Sequence, residues 1–124
     1  MQLTKDFRLE EFRSPDNPVI PSDIRSNLMV LCKFVLQPLR DYMGTPVTIT
    51  SGYRTAAHNA AVGGVKSSHH RRGMAADIVT SDNRKAFEFI KNNCSFTQLI
   101  DEHNLRWIHV SYDGNDLRNQ VLAL

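Results

Sequence analysis

A chain of 124 residues, 41% hydrophobic and 23% charged, can build one domain with a genuine core but not two, and its composition excludes disordered and fibrous classes. Fifteen basic side chains against thirteen acidic ones leave a net charge of +2, too little to hold nucleic acid through counterion release, so no nucleic-acid partner is expected. No apolar run approaches the roughly 18 residues that a membrane span requires, and "MQLTKDFRLEEF" has acidic residues where a signal peptide has its apolar core, so the expectation is no membrane contact and folding in a cytoplasm.

In chain order, residues 1 to 21 read as a lead-in. Phe7, Leu9 and Phe12 are placed to pack on a core, and "SPDNPVIP" carries three prolines that forbid regular structure. Ser22 is the expected N-cap, with Asp23 in the first turn, of a helix reaching about Met43. Ile24, Leu28, Leu31, Cys32, Val35, Leu36, Leu39 and Met43 recur at three- and four-residue spacing as one buried stripe, with Pro38 set to kink it or end its regular part and Gly44 to close it.

"PVTITS" (46–51) predicts a short strand, "GYRT" a turn, and "AAHNAAV" a short helix stopped by Gly63 and Gly64. Residues 74–79 predict a second strand. "SDNRKAFEFIKNN" predicts a helix capped by Ser81 or Asp82 that buries Ala86, Phe87, Phe89 and Ile90. "FTQLIDE" and "LRWIHVSY" predict a hairpin around His103 and Asn104. The fold class that follows is α+β, a small, largely antiparallel sheet packed against helices in a single domain spanning 1–124. Cys32 and Cys94 read as small core residues rather than a disulfide.

The chemistry lies around "SSHHRRGMAAD" (67–77). Asp77 follows Ala75 and Ala76 and precedes Ile78 and Val79, and a bare carboxylate in such a strand is expensive to bury. A divalent cation would relieve that cost, and so would an ion pair with Arg71 or Arg72. Trp107, His109 and Ser111 share one strand face while Ile108 and Val110 share the other, so His109 is either a ligand or a satisfied core histidine. A His, Asp, His set is typical of catalytic zinc, which keeps a fourth position open for water.

Three separated motifs carry a resemblance. "SGYRTAAHNAAVGG", then Ser68, His70, Gly73, Ala75 and Asp77 in register, then Trp107, His109 and Val110, resemble the zinc D-Ala-D-Ala carboxypeptidases and related murein peptidases, including phage endolysins. The likeness runs from about Phe7 to Tyr112. It implies a Hedgehog/DD-peptidase-like fold, a Zn2+ cofactor held by His70, Asp77 and His109, and Arg54 and Ser68 as substrate-binding residues. His70 rather than His69 falls in register, three residues before the glycine.

The base departs from the best-known members, many of which place a glutamate where this chain has Arg106. The expected substitute is Glu102, in "QLIDE", with His103 and then Asp101 behind it. The implied activity is zinc-dependent hydrolysis of D-amino-acid-containing stem peptides of peptidoglycan, of the D,D-carboxypeptidase or L-Ala-D-Glu endopeptidase type. A monomeric phage or prophage lysin, reaching the cell wall through a holin or as part of a virion, fits that activity. The alternative is a catalytically inactive zinc domain of the same fold that serves as a binding module.

Overall fold

The computed structural model describes residues 1–124. Its centre is a five-stranded sheet in the order β3-β4-β6-β5-β7, where β3 is Thr48–Ser51, β4 Ala75–Val79, β5 Gln98–Glu102, β6 Trp107–Ser111 and β7 Gln120–Ala123. The pairs β3–β4, β4–β6 and β6–β5 are antiparallel, and β7 adds to β5 in parallel. The sheet is therefore largely antiparallel, as the α+β reading expects.

One face of the sheet is apolar because strand side chains alternate: Ala76, Ile78, Leu99, Ile108 and Val110 all turn towards the helices and are buried. Against them lies the helical stripe, in which Leu28, Leu31, Cys32, Val35, Leu36 and Leu39 are each 0% exposed. The stripe is not one regular helix. α1 (Ser22–Leu31) passes into a π-helical turn, Cys32–Leu36, before α2 (Gln37–Met43). The Gln37 N–H reaches back five residues to the Cys32 carbonyl, so Pro38 falls in the first turn of α2, where its missing N–H costs nothing. The helix accommodates Pro38 by a bulge instead of breaking.

Ser22 is the first helical residue and Pro21 the cap, one position earlier than expected, and Pro21 provides no side-chain acceptor. Gly44 ends α2 in the left-handed conformation. α3 (Ala56–Ala61) is capped by the Thr55 hydroxyl, and α4 (Asn83–Asn93) by the Asp82 carboxylate, which accepts from the Lys85 N–H. On α4, Ala86, Phe87 and Ile90 are buried as expected, whereas Phe89 is half-buried and stacks on Tyr42.

Residues 14–21 form no helix or named strand, as their prolines predict, but the lead-in ahead of them is ordered. β1 (Gln2–Thr4) and β2 (Phe7–Arg8) form a two-stranded ribbon, and a 3-10 turn over Leu9–Phe12 follows. Phe7 and Phe12 are buried, and the Tyr53 N–H donates to the Phe12 carbonyl. The Asp16 carboxylate accepts from Ser14 and Thr55 hydroxyls, both at 2.6 Å, which ties the lead-in to the cap of α3. Both cysteines are free thiols, Cys32 fully buried and Cys94 partly so. No helix is long and apolar enough to cross a membrane.

Candidate metal centre

The two central strands bring the predicted residues together. Asp77 on β4 stands directly opposite His109 on β6, on the sheet face away from the core, and Ile100 of β5 flanks His109 on its other side. His70 enters from a 3-10 turn, His69–Arg72, whose first N–H bond is accepted by the Ser68 hydroxyl and which ends at Gly73 with φ +69°. That left-handed residue turns the chain into β4, and it lets the turn sit against α1, where the Asn27 side chain donates to the Arg72 carbonyl at 2.8 Å.

His70 is buried and its Nδ1 lies 2.8 Å from the Gly52 carbonyl. A carbonyl only accepts, so Nδ1 carries the proton and the Nε2 lone pair faces Asp77 Oδ1 at 3.3 Å. His109 Nδ1 approaches the same oxygen at 3.0 Å. Two ring nitrogens and a carboxylate oxygen all lie within 4.8 Å of one another. Two imidazoles aimed at one carboxylate oxygen need a positive charge among them, and a tetrahedral divalent ion with bonds of about 2.0–2.2 Å separates its ligand atoms by about 3.4 Å, close to these distances. The donor set therefore fits a borderline-soft divalent metal.

Burial pushes the Asp77 carboxyl up, but the His109 and His70 rings beside it outweigh that and hold the group well below the usual carboxylate range. Neither Arg71 nor Arg72 pairs with Asp77. Arg71 donates to the Lys66 carbonyl, and Arg72 lies 3.9 Å from Asp113. The cation beside Asp77 is Arg54, with Nη2 3.5 Å from Oδ2. Ser51 Oγ accepts from Arg54 Nε at 3.1 Å and Asn59 Oδ1 from Nη1 at 3.4 Å. Three of the five N–H groups of the guanidinium are thus committed, two remaining for a ligand.

These residues line a cleft of about 480 Å³ whose walls also include Ser68, His69, Gln98, Glu102, Trp107 and Arg118. Glu102 lies two residues along β5 from Ile100, on the cleft face, directly opposite Trp107. Asp101 points the other way, and its carboxylate accepts from the Leu105 N–H at 2.7 Å, a turn-stabilising role. His103 packs against Trp107, with ring centroids 4.9 Å apart and planes tilted by 38°, in an exposed turn, where it lines a separate depression with Asn104 and Arg106. His103, Asn104 and Leu105 all have positive φ, from 51° to 59°. That left-handed run is secured by Asn83, whose side-chain amide donates to the Leu105 and Arg106 carbonyls, and by the Leu124 carbonyl, which accepts from the His103 N–H.

His69 faces the cleft. Burial is the main cause that lowers its pKa, with the charges of Arg72, His109 and Arg118 acting in the same direction and Asp113 opposing them. His58 lies on α3, where its N–H completes the Thr55 cap. Arg118 and Gln98 have no sequence signature, whereas the Arg54 partners Ser51 and Asn59 lie three and five residues from it within the "SGYRTAAHNAAVGG" motif. Arg118 reaches the site through the crossover to β7, Gln98 through the pleat of β5, Ser51 past a register shift in β3 between Ile49 and Ser51, and Asn59 from α3.

The sequence profile of the family described as Peptidase M15 matches residues 10–111. A zinc D-Ala-D-Ala carboxypeptidase from Streptomyces albus G is 35% identical over 78 residues, 61% of this chain and 30% of that protein. The chain thus matches less than a third of that relative's length. With the profile running from the first 3-10 turn to the end of β6, across all three candidate ligands, this chain belongs to the peptidase M15 family.

Proposed function

We propose that this chain is a zinc-dependent peptidase that hydrolyses D-amino-acid-containing stem peptides of bacterial peptidoglycan, as a lysin of phage or prophage type. The observation that carries this reading is the convergence of His70 Nε2 and His109 Nδ1 on Asp77 Oδ1 inside a cleft that also contains a carboxylate free of ion-pair partners, Glu102. His70, Asp77 and His109 are the residues that would hold zinc. Bound there, zinc supplies Lewis acidity, drawing electron density from a peptide carbonyl and making a water molecule easier to deprotonate.

The remaining steps belong to the chain. Glu102 takes a proton from the attacking water onto its carboxylate and returns it to the departing amine, so that it ends the cycle as it began. Arg54 holds the Asp77 carboxylate in place and turns its two uncommitted N–H groups to a substrate carbonyl or carboxylate. The Ser68 hydroxyl oxygen accepts the His70 N–H, which leaves its own O–H to donate into the cleft. Gly52, through its carbonyl, fixes the tautomer of His70.

Arg106, at the position where many relatives have a glutamate, favours a non-catalytic binding module. The placement of Glu102 in the cleft, and of Arg106 outside it, favours catalysis. Mass spectrometry of fragments released from purified peptidoglycan tests both readings. Hydrolysis by the zinc-loaded chain that is lost in Glu102→Ala, with zinc content unchanged, supports the peptidase. Tight, non-hydrolytic binding by both proteins would establish the module.

A further inference from the structure

The cleft has a direction, set by strand register. Glu102 and Trp107 form one end, the Asp77–His109 pair lies at the level of Ile100, and Gln98 lies one pleat further, opposite Ser111 and Gln120. Two residues of strand span about 7 Å, so Glu102 and Gln98 lie about that far to either side of the metal-binding level. Arg118 also lines the cleft, and it sits two residues before Gln120, at the Gln98 end.

Its position is built into the fold. After β6 the chain must cross the end of the sheet to add β7 parallel to β5, and both ends of that crossover are fixed. Asp113 N–H donates to the Thr97 hydroxyl, and Asn119, at φ 52°, exchanges two 2.9 Å hydrogen bonds with Phe96, one through its N–H and one through its side-chain oxygen. Arg118 is therefore attached to a rigid stretch of backbone. Its guanidinium has one ion-pair partner, Asp116, at 2.9 Å, and both side chains are about half exposed at 49% and 40%. Such a pair is weak and yields readily to a desolvated anion. The charge of Arg54, by contrast, is committed to Asp77.

We infer that Arg118 forms an anion subsite at the Gln98 end of the cleft, receiving a free carboxylate about two residues along the peptide from the scissile bond. The inference rests on the peptidase reading for the identity of the ligand, a peptide bearing carboxylates. An extended residue spans about 3.3–3.6 Å, so the 7 Å between the metal level and Gln98 corresponds to that offset. The carboxylate is either the peptide C-terminus or one carried internally by an acidic residue. Arg118 lies beyond residue 111, where the family match ends, so the subsite is a selectivity feature of this chain's C-terminal segment.

The test uses zinc-loaded wild type, Arg118→Gln and Arg118→Lys with three stem peptides: the free acid, its C-terminal amide, and the form amidated at the internal carboxylate. Binding is measured by NMR titration in a Glu102→Gln background, and hydrolysis in the native one. One of the amides should bind wild type about 10- to 100-fold more weakly than the acid, and which one identifies the carboxylate. Arg118→Gln should lose that discrimination by raising KM at nearly constant kcat, Arg118→Lys should restore part of it, and zinc content and Tm should not change. An acid-to-amide ratio equal in wild type and Arg118→Gln overturns the subsite, whether or not the peptides are cleaved. Arg118-dependent binding without any cleavage by wild type keeps the subsite and overturns the peptidase reading.

Discussion

Gly73 connects the fold to the metal centre, and replacing it with alanine separates two costs that are usually entangled. Its φ of +69° is unfavourable for any L side chain by about 1–2 kcal/mol. A Cβ there would also lie 2.7 Å from Ile24 Cγ2, 2.8 Å from the Ile24 carbonyl oxygen and 3.2 Å from Leu28 Cγ, all on α1, and one of these is backbone that cannot swing aside. Overpacking of that kind adds about 1–3 kcal/mol, so Gly73→Ala should cost about 2–5 kcal/mol. Gly63 is the control. It has φ +77° and nothing within 4 Å of its missing Cβ, so Gly63→Ala carries only the conformational cost. At this chain length 1 kcal/mol moves Tm by about 4 °C, which predicts losses of about 4–8 °C for Gly63→Ala and about 8–20 °C for Gly73→Ala. Thermal unfolding followed by far-UV circular dichroism, with a chelator present, measures both without a contribution from metal binding. Repeating the scans with zinc should show a smaller metal-induced rise in Tm for Gly73→Ala alone, because its turn carries His70. Equal losses in the two variants would refute the close approach of α1 as the reason for a glycine at position 73.

His70→Ala should abolish zinc binding while His69→Ala largely spares it, as metal analysis after dialysis will show; the reverse pattern would reassign the ligand. Glu102→Gln should keep its zinc and lose about 10²–10⁴-fold in kcat, and a near-normal rate there beside an inactive His103→Ala would transfer the proton to His103. Asp101→Ala deprives the Leu105 N–H of its acceptor in a turn of three left-handed residues, so denaturant unfolding should show a loss of about 1–3 kcal/mol. Burial pushes the Cys32 thiol up from 9.0 to about 12, so Cys32 should resist thiol reagents at neutral pH until the chain unfolds. The unfolded chain ionises this thiol first, so stability should fall as pH climbs from 9.0 towards about 12, by more in wild type than in Cys32→Ala.

The long helical stripe was legible because burial on one side of a helix writes a period of 3.6 into the sequence, and the hairpin because Ile108 and Val110 alternate with Trp107 and His109. The π-helical turn was not. Pro38 announces a disturbance, but a kink, a stop and a bulge are all compatible with its missing N–H, and the sequence does not choose among them; the structure has the bulge, with Val35, Leu36 and Leu39 buried in the core. β7 left no trace for a different reason. It is an edge strand with Gln120, Val121 and Ala123 exposed, held by backbone hydrogen bonds to β5, so no face of it demands a hydrophobic pattern.

The same distinction runs through the site. His70, Asp77 and His109 were legible because a carboxylate in a buried strand and a histidine on a mixed strand face are local anomalies, and a fixed-spacing motif sets their register. The three candidate bases lie on consecutive residues, 101 to 103, so spacing could not separate them. The pleat distinguishes their positions, because it sends Glu102 into the cleft and Asp101 out of it, and the left-handed turn carries His103 to a separate depression. The Arg54 partners Ser51 and Asn59 lie within the same short motif as Arg54, whereas Arg118 and Gln98 reach the cleft only through strand pairing between segments distant in sequence, and no local pattern encodes them. The chemical centre of this chain is thus written in short motifs, while the groups that would select its substrate are supplied by the route the chain takes between strands. A C-terminal crossover whose backbone is fixed by Phe96 and Thr97 can exchange Arg118 for another side chain without disturbing the ligands, which lets substrate preference change independently of the metal site.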